Sequence, residues 1–588
     1  MIKLENKLCK NETDVKIEKP WLKNYPDDIP ITLDYSQISV SQILDNTAKK
    51  YPENIALIFV GRKITYKELS KLVNKLATAL HNLGVKKGDK VALFLPNCPQ
   101  FVISYYAALK IGAIVVPTNP LYTERELEYQ LNNSGSQTII TLDVKALYPK
   151  IANVKDKTRL KRIIISDIRE YLPFPESVLY PMVKRMEIAK VEKDEMTYFL
   201  KELLDEYIAK PPVVEINSEE DLALLQYTGG TTGVPKGVML SHRNLVVNAI
   251  QCRHWFSKAK IGKETFLSVL PFFHVFGMTV CMNVPIYLAS SIILVPRFKI
   301  DDVLKIINNF KPTIFPGVPP MYVVINNYSH IKKYDLSSIK FCISGAAPLT
   351  IEVAEEFERI TGGVLVEGFG LTECSPVTHC NPLYGKRKVG SIGLPLPDTD
   401  MKITDLETGE KILNIGQVGE LAIKGPQVMK GYWQMPEETT QVIRNGWLYT
   451  GDIAKLDEDG YTFIVDRKKD VIIVGGENVY PKEVEEILYQ HPKVKEATVI
   501  GLPDVYRSEV VKAYIILKDG QTATPQEIRE FCKKNLIKHA VPKFVEFRKE
   551  LPKTLIGKVL RRVLLEEEMK KKHTCLNGNR EITKLIDK

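Results

Sequence analysis

Short, almost wholly apolar runs recur along the first quarter of the chain, and between them apolar residues return every three or four places. Ala56-Leu57-Ile58-Phe59-Val60, Lys90-Val91-Ala92-Leu93-Phe94-Leu95, Ala113-Ile114-Val115-Val116 and Thr138-Ile139-Ile140-Thr141-Leu142 read as strands buried on both faces. Tyr66–Leu83 and Pro99–Ile111 carry helical spacing, Ser41 is placed to cap a helix running through Ala48, and Thr123-Glu124-Arg125-Glu126 opens another. Strands alternating with helices predict α/β layering about a mainly parallel sheet.

The pattern changes after Leu222–Leu225. That apolar run reads as a strand, Val238-Met239-Leu240 as another, and Ser241 as the N-cap of a helix beginning at His242. Between them lies Tyr227-Thr228-Gly229-Gly230-Thr231-Thr232-Gly233-Val234-Pro235-Lys236-Gly237, a loop anchored at both ends. Its glycines let backbone N–H groups converge on phosphate oxygens, its threonines add hydroxyl donors that can also reach a metal ion, and Lys236 adds a mobile positive charge. A Walker A loop is excluded, because Lys236 stands between Pro235 and Gly237 and not before Ser or Thr. The chemistry fits a polyphosphate.

Further short motifs follow, and from residue types alone each could be an ordinary turn or core segment. Pro271-Phe272-Phe273-His274-Val275-Phe276-Gly277-Met278 places one histidine in an aromatic run. Phe341-Cys342-Ile343-Ser344-Gly345-Ala346-Ala347-Pro348-Leu349 predicts a strand, a small-residue turn and a proline-started helix. Gly368-Phe369-Gly370-Leu371-Thr372-Glu373 follows a strand at Val364–Val366, and Tyr449-Thr450-Gly451-Asp452 puts a carboxylate at a strand end, suited to a pair of ribose hydroxyls. The charged run Asp466-Arg467-Lys468-Lys469-Asp470 marks a composition boundary. Beyond it, Glu483–Tyr489, Ala497–Gly501, Val511–Leu517 and Gln526–Leu536 predict a small α+β unit. Within that unit Gly475-Gly476 turns into a proline-started helix, and Leu551-Pro552-Lys553-Thr554-Leu555-Ile556-Gly557-Lys558 lies near its end.

From Trp21 to Leu565 these motifs, in this order, resemble the AMP-forming acyl-CoA synthetase (adenylate-forming) superfamily, and most of all its bacterial long-chain fatty-acid–CoA ligases. The resemblance implies an α/β fold with a large N-terminal domain of layered sheets and helices and a small mobile α+β C-terminal domain. The implied division is a polar tail over 1–20, an adenylation domain over 21–467, a mobile domain over 468–570 and a tail over 571–588. It implies that a fatty acid is joined to AMP from ATP and then passed to coenzyme A, releasing AMP and pyrophosphate.

Carried over residue by residue, Thr228, Gly229, Gly230, Thr231, Thr232, Gly233 and Lys236 would hold phosphates. Gly345, Ala346, Ala347, Gly368, Phe369 and Gly370 would flank the adenine, with Phe369 where many relatives have tyrosine, so that the stack is kept and a hydroxyl contact is not. Thr372 would reach the phosphate, Asp452 and Arg467 the ribose, and Thr228 and Glu373 Mg²⁺. Lys558 would be the catalytic lysine, acting with Thr228, Glu373 and His274. Trp255, His274, Phe276 and Gly345 would border the acyl site, Gly475 and Gly476 the pantetheine channel, and Lys469 would be the hinge.

Composition narrows the picture only a little. The 588 residues exceed one core, and 44% hydrophobic with 26% charged residues is a globular balance. A net charge of +10, spread over 81 basic and 71 acidic side chains, favours polyanions such as ATP and CoA without implying nucleic acid. Nine scattered cysteines form no CxxC pair, which argues against structural zinc and a disulfide framework. The charged start Met1-Ile2-Lys3-Leu4-Glu5-Asn6-Lys7 lacks a signal-peptide core, so the expected location is cytoplasmic. In 171–185, aromatic and aliphatic residues stand beside Lys184 and Arg185, which leaves two readings open: a loop packed on its own domain, or a peripheral membrane contact on the inner face of the cell membrane. A homodimer is compatible with all of this. An aryl-CoA ligase, an acyl-AMP ligase serving a carrier protein and a non-catalytic sensor are the competing functions.

Overall fold

The computed structural model describes residues 18–183, 186–228, 235–504, 506–553 and 559–571. Its largest sheet has eight strands in the order Gly431–Tyr432, Lys236–Ser241, Leu222–Thr228, Ile114–Pro117, Lys90–Phe94, Thr138–Leu142, Arg162–Ser166 and Thr197–Phe199. Every pair from Leu222–Thr228 to Thr197–Phe199 is parallel. The hairpin of Leu222–Thr228 with Lys236–Ser241 and the short Gly431–Tyr432 edge are antiparallel. Val91, Ala92, Leu93 and Phe94 are fully buried, as are Phe101, Val102, Ile103, Tyr105 and Tyr106 of the helix Pro99–Lys110, and all of them share one core. Each Leu or Phe so buried stabilises the fold by about 1.5–3 kcal/mol relative to exposure.

Two four-stranded sheets stand beside it, one containing Ile55–Phe59 and Ser291–Leu294, the other Phe341–Ser344 and Val364–Gly370. Ile314 joins them, bridging in parallel to Phe266 on one side and to Phe341 on the other. A third, antiparallel sheet holds Asp400–Thr404, Gly419–Lys424, Trp447–Leu456 and Thr462–Arg467. After Arg467 the chain enters a separate sheet of Ile472–Val474, Glu477–Val479, Val494–Asp504, Ser508–Leu517 and Phe544–Phe547. Helices Pro481–Tyr489 and Pro525–Asn535 supply Val484, Leu488, Ile528 and Cys532 to its own apolar core.

Three local expectations are corrected. The first helix, Val40–Lys50, is capped by Ser39 and not Ser41, because Gln42 reaches back to accept from the Ser39 N–H at 2.7 Å while Ser41 lies inside the helix. Pro348 does not start a helix. Ala346 is left-handed (φ +67°) and the Leu349 N–H is taken by Glu367, so the helix begins at Ile351 behind Thr350. Packing starts slightly before Trp21: Pro20 is buried and Lys19 pairs with Asp400. In 171–185 the segment Glu176–Val183 forms a short helix after the prolines at 173 and 175. Tyr171 and Leu172 are buried there, whereas Phe174, Val178, Leu179 and Met186 are exposed. Among the described residues no helix is long and apolar enough to cross a membrane.

Candidate active site

The glycine loop joins two strands of one hairpin, so its ends are held by cross-strand pairs. Thr228 faces Lys236 at the mouth and Tyr227 faces Gly237 one step in. Both stems are tied to the Glu124–Ser134 helix, because the Tyr227 hydroxyl donates to Asn133 Oδ1 (2.6 Å) and the Tyr129 hydroxyl to the Pro235 carbonyl (3.2 Å). Gly229, Gly230, Thr231, Thr232 and Gly233 lie outside the described residues, as does Lys558. Ser241 caps the helix His242–Trp255 as expected, and Asn244 in its first turn donates to the carbonyls of Pro426 and Val428, both at 2.9 Å. The hairpin, the helix cap and the approach to Tyr432 are thereby one rigid piece.

Glu373 sits opposite. Its carboxylate accepts from the Tyr432 hydroxyl at 2.8 Å and its carbonyl from the Met429 N–H at 2.8 Å. Asp452, 2% exposed, and Arg467 are cross-strand partners, with Arg467 Nε 3.0 Å from Asp452 Oδ1. Lys469 follows two residues later. Burial pushes its ammonium pKa down and Arg467 adds to this, while Asp470, Asp452 and Glu373 pull it up, so the side chain stands within electrostatic reach of both site carboxylates. Sequence reasoning gave Lys469 a backbone role only and did not find Tyr432. A two-residue strand has no periodicity to read, and its partner Glu373 is 59 positions away.

The residues carried over to the adenine and acyl pockets also converge. A Cβ on Gly345 would lie 2.9 Å from the Phe276 ring, a close approach that only glycine allows. Gly368, Phe369 and Gly370 lie in the strand Val364–Gly370, where Phe369 pairs with His379 and meets its ring edge-on at 6.2 Å. Thr372 opens the short helix after that strand. His274 is half-buried, caps Val275–Met278 by accepting from the Phe276 N–H at 3.3 Å, and has its pKa pushed down to about 4 by burial. It is therefore a neutral imidazole near neutral pH. Trp255 is 1% exposed, with its Nε1 donating to the Asn381 carbonyl at 3.1 Å and its ring against Tyr25, so it stands in a core.

In the small unit, Gly475 and Gly476 form the two-residue tip of the hairpin Ile472–Val474/Glu477–Val479, both at positive φ (64° and 89°), with open space around each. Arg561 pairs with Asp470 (2.9 Å) and Glu485 (2.8 Å), and Lys482 bonds back to the large unit through Asp466 (2.6 Å) and the Ile464 carbonyl (2.7 Å). Among the described residues no group of three or more His, Cys, Asp and Glu could by itself hold a metal.

Comparison with known proteins agrees with this arrangement. The family described as AMP-binding enzyme matches residues 44–433, and its C-terminal domain matches 483–558. A long-chain-fatty-acid–CoA ligase of Bacillus subtilis (strain 168) is 48% identical, the match covering 95% of this chain and 99% of that protein. The ATP-bound structure of MatB from Rhodopseudomonas palustris superposes with a TM-score of 0.79 at 29% identity, covering 90% of this chain and 99% of MatB. The apo structure of MatB, at the same identity and coverage, gives 0.69. With a family match spanning well over half its length and near full-length relatives, the chain belongs to the AMP-binding enzymes.

Proposed function

We propose that this chain is an AMP-forming ligase that activates a long-chain fatty acid with ATP and transfers the acyl group to coenzyme A. A carboxylate oxygen attacks the α-phosphorus, the bond to the β-phosphate bridging oxygen breaks, and pyrophosphate leaves. The CoA thiolate then attacks the acyl carbonyl carbon and AMP departs with the electron pair of the broken C–O bond. The observation that carries this reading is the convergence of the Lys236 hairpin, Glu373 and the Asp452–Arg467 pair, set by three different sheets.

Each residue then has a physical task. The hairpin and Lys236 neutralise the polyphosphate, Asp452 accepts from the ribose hydroxyls with Arg467 holding its orientation, and Phe369 offers a flat face to adenine. Neutral His274 borders the acyl carboxylate without contributing charge. The Thr228 hydroxyl and the Glu373 carboxylate are oxygen donors of the kind Mg²⁺ takes when phosphates and water complete its shell, so the residues fit that ion. When bound, it would supply charge neutralisation at the phosphates. Lys558 is assigned to the first half-reaction and the Gly475-Gly476 tip to the pantetheine path, with Lys469 as the hinge between units at 21–467 and 468–570. The lower match to apo MatB than to ATP-bound MatB supports a small unit whose placement follows the nucleotide.

The exposed Phe174, Val178, Leu179 and Met186 supply an apolar face for peripheral membrane contact. Replacing Phe174, Val178 and Leu179 with serine should reduce binding to anionic vesicles while sparing activity on detergent-solubilised acid; equal binding returns the segment to a plain surface helix. The central experiment is ATP–pyrophosphate exchange and acyl-CoA formation measured with palmitate, shorter acids and benzoate. Exchange driven by benzoate and not by palmitate would sink the long-chain assignment.

A further inference from the structure

We infer that Tyr432 is a positioning residue that sets two opposite charges at the mouth of the phosphate hairpin, orienting Glu373 through its hydroxyl and seating Lys236 on its ring. The hydroxyl donates to Glu373 Oε1 at 2.8 Å, and the Lys236 ammonium stands 4.9 Å from the ring centroid. Opposite charges so placed would ordinarily collapse onto each other. Here the phenol offers the carboxylate its hydroxyl and the ammonium its face, so each is satisfied separately and both are presented to a ligand.

The residue is itself held through its backbone. Tyr432 pairs in register with Val238, its N–H donates to Thr439 Oγ1 at 2.9 Å, and it is 9% exposed. Its neighbour Trp433 donates through its backbone N–H to the Gly237 carbonyl (2.7 Å) and through Nε1 to the Asn133 carbonyl (3.1 Å). Asn133 also receives the Tyr227 hydroxyl, so the strand bearing Tyr432 and the entry stem of the hairpin share one anchor. A hydrogen bond from a fixed neighbour orients a metal-binding carboxylate, and losing such a partner typically costs 10- to 100-fold in metal affinity.

The inference rests on the reading that Glu373 takes up Mg²⁺, and its test separates the two. Calorimetry with α,β-methylene-ATP, with and without Mg²⁺, measures how far the ion tightens nucleotide binding in the full-length protein. Glu373→Gln should abolish the tightening; if it does not, the metal reading falls and the inference with it. Tyr432→Phe keeps the ring and removes the hydroxyl, so it should reduce the tightening by about 10-fold and leave the metal-free Kd unchanged. Wild-type tightening in Tyr432→Phe, with the tightening lost in Glu373→Gln, overturns the Glu373 half and leaves the metal reading standing. Tyr432→Leu removes the ring as well and should weaken the metal-free Kd by a further ~3-fold, the size of one cation–π contact. A metal-free Kd equal to that of Tyr432→Phe overturns the Lys236 half.

Discussion

The two sides of the proposed site are held by different physics. On the large unit, Asp452, Arg467, Glu373 and Tyr432 are fixed by strand register and buried hydrogen bonds, in pairs such as Asp452↔Arg467 and Tyr432↔Val238. The small unit meets the large one through scattered polar contacts: the Lys482 N–H on the Asp466 carboxylate, the Lys482 ammonium on the Ile464 carbonyl, the Lys468 N–H on the Gly451 carbonyl, and Arg561 3.9 Å from Asp466. A ladder of backbone bonds has one arrangement, whereas a few polar contacts around a short linker can be exchanged for others at small cost. That contrast is what the proposed two-step reaction needs, in which one site admits first the Lys558 amine and then the pantetheine thiol.

The sharpest way to break that contrast is to disable each face separately. Lys558→Ala should lower ATP–pyrophosphate exchange by a factor on the order of 10² or more, the usual size of a lost transition-state charge partner, while still converting supplied acyl-AMP and CoA to thioester. Lys469→Pro should do the reverse, slowing thioester formation by roughly 10-fold and leaving exchange within a few-fold of wild type, since a fixed φ at the pivot opposes rotation. Equal loss of both half-reactions in either variant would mean that one fixed arrangement serves both steps.

A smaller effect is expected at the latch. The Asp466 carboxylate accepts the Lys482 N–H and the Arg467 N–H and faces Arg561 at 3.9 Å. Asp466→Asn removes the charge and keeps an oxygen acceptor, which should cost the docked arrangement about 1 kcal/mol. That is roughly a five-fold shift in population, read as faster tryptic cleavage at Lys468 and Lys469 with the cores of both units intact. Unchanged cleavage would place the restraint elsewhere.

Legibility in the sequence follows the same division. Thr138–Leu142 was readable to the residue because all five positions are buried, so the apolar run and the strand coincide. The proline-started helix at Pro481 and the glycine tip before it were equally plain. Ser39 and Ser41 could not be told apart by type, since the choice depends on which one Gln42 can reach. The Glu373–Tyr432 contact was out of reach altogether: it joins a turn to a two-residue edge strand, and nothing local marks either residue as the partner of the other. Trp255 is similar: its partners, the Asn381 carbonyl and the Tyr25 ring, lie far from it in the chain, and no local pattern names them.

The smallest effect is also the one that reads the two units against each other. Glu367 lies on the large unit, in the strand Val364–Gly370, and accepts the Leu349 N–H at 3.1 Å. Burial is the main cause pushing its carboxyl up to about 7, the Leu349 bond opposes this, and Lys482 of the small unit pulls it down further. Because the folded pKa lies above the ordinary value, the native state holds the proton longer than the unfolded chain does. The resulting stability is complete below the unfolded pKa of 4.5 and is lost as pH rises through about 7. Glu367→Gln should therefore flatten the fall in Tm over that window. Lys482→Met withdraws the contribution of this small-unit lysine, so the fall should extend to higher pH, by less than about one unit for a single partly screened charge. If the fall stays where it is in Lys482→Met while Glu367→Gln removes it, the small unit spends most of its time away from this position.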